Sequence, residues 1–303
     1  MKHWVTYPLI SYPYDPAFVS KDALVRFART AETAGFDGIG FTDHPAPSHR
    51  WLQAGGHDAL DPFAALAFVA AVTDRLRLIP NIVVLPYRNP FLVAKAIATI
   101  DALSDGRFTL ATAIGYQRSE YRALGVDFEA RNERFDEALK VLRGIWTTDD
   151  FAYEGATFNA TGQTANPKPK AVPIWIGGNS RRSRQRVAEG ADGWNPFPAP
   201  ASMARTVKTP ALETTDDLAR MLDDLWRHVE TAGRDPRSID VSFVNIAGGA
   251  PGKPRFDVQA HLAGLDDLAA LGVTWNSTSV PGDSLEHAIE TLEYYGTEII
   301  SAR

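Results

Sequence analysis

One phrase recurs along this chain and limits what it can fold into: the end of a helix, a glycine, then a short apolar strand. It reads Ala34-Gly35-Phe36, Glu189-Gly190-Ala191, Ala232-Gly233-Arg234 and Leu271-Gly272-Val273. Glycine takes the left-handed conformation that closes a helix, so each phrase marks a helix stop. The phrase returns without a fixed period, which makes it a βα rhythm and not a solenoid repeat. Strands alternating with helices require a parallel sheet with right-handed crossovers. About eight such units fit the chain, the number expected of an α/β (β/α)8 TIM barrel with loop insertions at its carboxyl-end face. A doubly wound sheet is the alternative, but it needs a Gly-rich fingerprint after the first strand, and Ile10–Asp15 has none.

The units read in order as follows. Trp4–Ile10 is the first strand, and Ser20 caps a helix through Ala34 with Leu24, Phe27, Ala28 and Ala31 on one face. Phe36–Phe41 is the second strand, followed by a long polar loop, His44–Leu60. Asp61-Pro62 and Asn89-Pro90 each pair an N-cap acceptor with proline at the first helical position, starting helices to Val72 and Leu103. Between them Leu76–Val84 is a strand interrupted at Pro80. Phe108–Ile114 is a strand, Gly115–Gly125 a loop, and Asn132–Trp146 a helix. Phe151–Asn159 suits a hairpin and Thr161–Lys170 a loop. Then come strand Val172–Ile176, a helix to Glu189, strand Gly193–Asn195, a loop Pro196–Pro210 and a helix from Thr214 to Ala232. Asp240–Ile246 and Val273–Ser277 are strands flanking helix Val258–Leu271, and Asp283 or Ser284 caps the last helix, to Ile300. The whole chain, 1–303, reads as one barrel domain.

Composition removes several classes. With no cysteine there are no disulfides, thiolate nucleophiles or Cys-ligated metals. A net charge of −6 gives no reason to expect nucleic acid or an anionic membrane as partner. The longest apolar run, Phe63–Val72, is far too short to span a bilayer, and Met1–Ile10 lacks a secretory h-region. The expectation is a soluble cytoplasmic protein. The seven histidines lack His-x-His or helical His-x-x-x-His spacing, so no metal site is expected even with His44, His49 and His57 in one loop.

Two stretches carry candidate chemistry. Asp43-His44 stands just past a strand's carboxyl end, where barrel enzymes place their reacting groups. Histidine exchanges protons near neutral pH, and an adjacent carboxylate can fix its tautomer. A loop histidine bonded to a neighbour is the plain alternative. Gly177-Gly178-Asn179-Ser180 follows a strand and opens a helix, a ready anion site, with Arg181, Arg182, Arg184 and Arg186 adding charge that cannot all face one point. The plain alternative is a tight turn with a solvated basic face. Trp175 and Trp194 read as core residues.

Taken together the motifs resemble the bacterial-luciferase-like superfamily, especially its coenzyme F420-dependent oxidoreductases. The resemblance rests on Gly35–Pro45, Asp61-Pro62, Thr73–Leu78, Arg88-Asn89-Pro90, Leu103–Arg107, Gly115–Gly125, Arg134–Leu139, Pro173–Asn179 and Asp192-Gly193-Trp194. It implies a cofactor ring beside Asp43 and His44, with His44 handling a proton and Asp43 assisting it. It implies a non-prolyl cis step at Asn81-Ile82 behind that ring, and a cofactor phosphate on Gly177, Gly178, Asn179 and Ser180. Val84, Gly115, Tyr116, Ser119 and Arg181 complete the implied cofactor set. Tyr116 occupies the position of an acid in related sugar-phosphate dehydrogenases, and Ile114 that of an arginine holding the FMN phosphate in luciferases. The expected function is hydride transfer between F420 and a small organic substrate. The alternatives are an FMN-dependent monooxygenase fed by a separate reductase, and a cofactor-free barrel acting as a hydrolase or binding protein. A homodimer is implied, and the loops His44–Leu60, Pro196–Pro210 and Ala247–Asp257 are expected to shape the substrate pocket.

Overall fold

The computed structural model describes residues 1–302. Its strands are β1 (Lys2–Thr6), β2 (Gly38–Phe41), β3 (Arg77–Pro80), β4 (Val83–Val84), β5 (Leu110–Ala113), β6 (Phe151–Glu154), β7 (Asn159–Gln163), β8 (Ile174–Gly177), β9 (Gly193–Asn195), β10 (Asp240–Val244) and β11 (Trp275–Ser279). Its helices are α1 (Lys21–Thr33), α2 (His49–Gln53), α3 (Pro62–Ala70), α4 (Pro90–Leu103), α5 (Arg118–Ala123), α6 (Arg131–Thr147), α7 (Arg181–Gly190), α8 (Ala201–Val207), α9 (Thr215–Thr231), α10 (Val258–Ala270) and α11 (Leu285–Tyr295). Parallel strands run in the order β3-β2-β1-β11-β10-β9-β8-β5-β4. β3 and β4 are two pieces of one stave, and the ring closes where Leu78 bridges Phe108 and Val83 pairs with Thr112. This is the (β/α)8 barrel expected from the sequence.

Local chemistry starts the helices where the sequence places them. Ser20, Asp61, Asn89, Ser180, Thr214 and Ser284 each accept a hydrogen bond from an amide of the following turn. Thr214 and Asp217 form a full capping box. The turn Asp105-Gly106 takes positive φ at both residues, which brings Arg107 back across the bottom of the barrel. There the Arg107 guanidinium donates to the carbonyls of Ala70, Thr73, Leu76 and Ser104, tying α3 to the start of β5.

Some expectations need correction. The third stave breaks at the cis peptide Asn81-Ile82 and not at Pro80. Pro80 pairs with Phe41, and the ladder takes its next donor from the Asn81 amide, so proline's missing N–H is not needed there. Short helices occupy three stretches read as loops: α2, α5 and α8. The hairpin extends to Gln163 as β6-β7, the first strand stops at Thr6, and the last helix closes in a π-turn over Gly296–Ile300.

The barrel interior is filled by Trp4, Ile79, Ala111, Trp175 and Trp275, all buried, with Ile82 above them. The Trp4 indole donates to the Ser242 hydroxyl across the barrel, and Trp175 meets Trp275 edge to face at 5.4 Å. Trp4 needs space on β2, which Gly40 supplies. A Cβ there would lie 2.5 Å from the Ile79 carbonyl oxygen and 2.7 Å from the Trp4 ring. Trp194 packs in the layer between barrel and helices. Among the described residues no helix is long and apolar enough to cross a membrane. Gly40→Ala is expected to destabilise the protein by about 1–3 kcal/mol, because neither backbone nor indole can yield without disturbing the barrel. Chemical denaturation with the midpoint compared to wild type measures it.

Candidate functional site

A cavity of about 470 Å³ opens at the carboxyl ends of the strands. Its lining draws on nearly every stave, from Thr6 on β1 through Asn81, Ala113, Gly177, Asn195 and Val244 to Ser279 on β11. Asp43, His44, Ile82, Val84, Gly115, Tyr116, Gly178 and Ser180, all expected at the site, line it as well.

Asp43 is buried, and its carboxylate is taken on every side. Arg88 donates from Nη1 to Oδ2 at 2.6 Å and from Nη2 to Oδ1 at 2.7 Å, and the Val84 amide donates to Oδ2 at 2.9 Å. Burial pushes this carboxyl above its ordinary range, with Arg88 and the Val84 amide opposing. Asp43 therefore does not hold the neighbouring histidine, contrary to the expectation that it fixes the tautomer.

Glu120 does that work. It comes from α5, is wholly buried, and its Oε2 lies 3.1 Å from His44 Nδ1. The same carboxylate accepts from the Tyr87 hydroxyl at 3.2 Å and the Ala46 amide at 3.1 Å. A carboxylate accepting from three donors leaves the hydrogen on His44 Nδ1, so the ring's open nitrogen is Nε2. Gln117 also lies 3.1 Å from Nδ1, and this assignment turns its carbonyl oxygen, not its amide, toward the ring. Trp51, tilted, and His57, edge-on, pack around His44 with ring centroids 4.6 and 4.9 Å away. Burial, assisted by His44, lowers the His57 pKa, so His57 is neutral near pH 7. Burial and the Glu120 charge push the Tyr116 phenol up to about 12, which keeps it a neutral hydroxyl.

On the other wall β8 runs into Gly177-Gly178. A Cβ on Gly177 would lie 2.6 Å from the Ile82 side chain, so glycine is what lets Ile82 pack over the strand end. Gly178 has φ +95°, a left-handed value that turns the chain into α7. The first amides of α7 have no acceptor within the helix and suit an anion. These features fit a phosphate-bearing planar cofactor: an apolar slot, a glycine turn, and a polar group at the reacting side.

Three expected residues lie elsewhere. Asn179 is buried and holds the following loop, donating to the carbonyls of Phe197 and Pro210 and accepting from the Phe197 amide. Ser119 is exposed on α5, and its side chain does not line the cavity. Arg181 reaches toward His228 on α9. The other three arginines of that run are also spent on helix packing. Arg182 and Arg186 each pair with Asp136 on α6 at 2.6 Å, and Arg184 pairs with Asp224 on α9 at 2.7 Å. The sequence marks Gly115–Glu120 as a stretch that could line a pocket and Arg88-Asn89-Pro90 as a helix start, but it gives no role to Gln117, Glu120 or Arg88 and no sign of Trp51. The signal for Glu120 was a lone acid following a strand-end glycine, in a stretch read as loop.

The barrel and its strand-end cavity define a class, and the chain belongs to it: the luciferase-like monooxygenase family model matches residues 10–247. An uncharacterized protein of Mycobacterium tuberculosis (strain ATCC 25618 / H37Rv) is 28% identical over 254 residues, covering 83% of this chain and 78% of the relative. The FMNH(2)-dependent dimethylsulfone monooxygenase of Pseudomonas fluorescens (strain Pf0-1) is 33% identical over 174 residues, 55% of this chain and 45% of the relative. Among solved structures, monooxygenase RslO1 from Streptomyces bottropensis superimposes with a TM-score of 0.80 at 19% identity, covering 100% of this chain and 99% of that one. An F420-dependent secondary alcohol dehydrogenase gives 0.76 at 16% identity, with 100% and 99% covered. At such identities these two speak for the fold alone. The same fold thus serves an F420-dependent dehydrogenase, and one relative in sequence is FMNH(2)-dependent.

Two outcomes follow from this geometry. Arg88→Ala is expected to cost about 3–5 kcal/mol in unfolding free energy by stranding the buried Asp43 charge, and Asp43→Asn added to it is expected to recover part of the loss. Glu120→Gln is expected to shift neutral His44 away from the Nδ1–H tautomer, read by ¹⁵N NMR of histidine-labelled protein. An unchanged tautomer would show that Glu120 does not set it.

Proposed function

We propose that the protein is an oxidoreductase acting on a small organic substrate beside a flavin-type cofactor, with coenzyme F420 favoured over FMN. The observation that carries this reading is His44 facing an apolar, strand-end cavity while buried Glu120 holds its other nitrogen. When bound, the cofactor supplies hydride chemistry, and the protein supplies position, electrostatics and proton handling.

Each residue then has a physical task. Ile82 and Val84 give the slot an apolar wall, which excludes water from the reacting side. The Gly177-Gly178 turn and the α7 amides receive a phosphate. His44 gives or takes the accompanying proton at Nε2. Glu120 keeps that nitrogen outward and stabilises the imidazolium when it forms, as a buried carboxylate does for any paired imidazole. F420 is favoured because the resemblance seen in the sequence sets Ile114, a cavity-lining residue, at the position of the arginine that holds the FMN phosphate in luciferases. The second reading, an FMN-dependent monooxygenase fed by a separate reductase, is favoured by the Pseudomonas fluorescens relative.

Fluorescence titration with F420 and with FMN tests the cofactor. The expected result is tighter binding of F420, and binding of neither leaves a cofactor-free barrel. Oxygen uptake driven by reduced FMN would instead favour the monooxygenase. His44→Ala is expected to lower turnover about 100-fold or more with cofactor affinity little changed, the size of effect typical of a general acid–base. Unaltered turnover would remove His44 from the mechanism.

A further inference from the structure

The cavity carries two cations that the reading above leaves unused. Arg131 and Lys208 both line it, and both lie over one ring, Phe128, at 3.8 and 5.0 Å from its centroid. Arg118 also stacks on that ring at 4.1 Å. A single carboxylate answers the three: Glu129 lies 2.6 Å from Arg118 and 3.8 Å from Arg131. The spot is therefore locally positive on a chain that is net negative.

Neither cavity cation is fully satisfied by the protein. Arg131 gives one hydrogen bond to the Phe128 carbonyl, but its Nε is buried without a partner. A buried donor left in this way costs free energy unless a ligand supplies an acceptor. The Lys208 ammonium has no carboxylate or hydrogen-bond partner among the described residues. Its backbone sits at φ 54°, ψ 47°, capping the end of α8, where glycine is the ordinary choice. A lysine held in that conformation marks a position kept for its side chain and not for its backbone. The next residue fixes where this happens: the Thr209 hydroxyl accepts from the Asn179 amide, so the cation pair stands beside the Gly177-Gly178 turn. The start of α6 adds unpaired amides, since Ala130 gives it no side-chain cap. The arginines of α7 are unavailable, being spent on α6 and α9.

We propose that Arg131 and Lys208 form an anion-binding pair for the carboxylate-bearing tail of a deazaflavin cofactor, beyond the phosphate held at the α7 amides. The proposal rests on the F420 reading of the cavity and makes that preference a matter of tail charge. FMN ends at its phosphate and leaves this pair unanswered.

The test compares F420 with FO, the same deazaflavin lacking phosphate and tail, with FMN and riboflavin in parallel. Wild type, Lys208→Gln, Lys208→Gly, Arg131→Gln and Arg131→Lys are titrated by fluorescence at low and high salt. Lys208→Gln and Arg131→Gln are each expected to weaken F420 binding about tenfold or more, the size of a lost hydrogen bond to a charged group, while FO binding stays unchanged. Arg131→Lys keeps most of the affinity. Lys208→Gly is expected to lose F420 affinity with Tm equal to or above wild type, a combination that a purely structural lysine does not give. Unchanged F420 affinity in both glutamine variants, or an equal loss for FO, overturns the anion pair. Wild type binding F420 and FO equally also overturns it while leaving the deazaflavin reading intact. Wild type binding none of the four ligands overturns the cofactor reading beneath it.

Discussion

The contact on which the site depends is the buried pairing of Asp43 with Arg88 and the Val84 amide. It joins the end of β2 to a stretch 41 to 45 residues further on, which holds both the β4 piece of the broken stave and Arg88, the residue before the cap of α4. A buried ion pair is a poor source of net stability, because desolvation offsets most of its attraction. What it gives here is placement. With both carboxylate oxygens engaged, the chain leaving β2 has one path, and His44, the next residue, is delivered to the cavity wall. Glu120 then takes His44 from behind. The histidine stands between two buried carboxylates, each with its own cations or donors, so it faces neither as an unsatisfied charge.

The barrel separates stability from chemistry by depth. Trp4, Trp175 and Trp275 fill the interior below the strand ends, and glycines on neighbouring staves, Gly40 and Gly193, make room for the rings of Trp4 and Trp175. Above that layer the residues turned inward are smaller, such as Ala113, Gly177 and Ser277, and the interior opens into the cavity. The packed layer acts as a floor. It fixes the heights of the strand ends, and the groups set just beyond them inherit that rigidity. A site built this way can exchange its loops without disturbing the layer that holds the staves.

Much of this was legible from local rules, because local rules produced it. Asp61-Pro62 and Asn89-Pro90 start helices where an acceptor precedes a proline, and Gly35, Gly190, Gly233 and Gly272 end or follow them as the recurrent phrase requires. What was not legible is the part made by contacts across the fold. The Glu120–His44 contact spans 76 positions in sequence, and nothing within the Gly115–Gly125 stretch marks that acid as buried. The arginine run after Ser180 looked like part of an anion site. It is consumed by Asp136 and Asp224, acids on neighbouring helices whose approach no local pattern reveals. Helix α8 escaped because it starts after Pro200 with no side-chain cap and ends on a lysine, so it carries neither of the usual end signals.

The same reasoning explains why net charge says little about what the cavity binds. A chain of net charge −6 argues against polyanionic partners at its surface. Screening, however, confines a charge's reach in physiological salt to about 8 Å in water, and burial weakens that screening inside a cleft. The potential in the cavity is set by what lines it. On the β2 side the acids are already bound, Asp43 to Arg88 and Glu120 to His44 and its neighbours. Beside the β8 turn the balance is reversed, with Arg131, Lys208 and the open helix amides facing Glu129 alone. A ligand that enters is met by neutralised acids at one wall and by cations in excess of acids at another. That asymmetry orients a molecule with an apolar ring and an anionic end, whatever the sign of the protein as a whole.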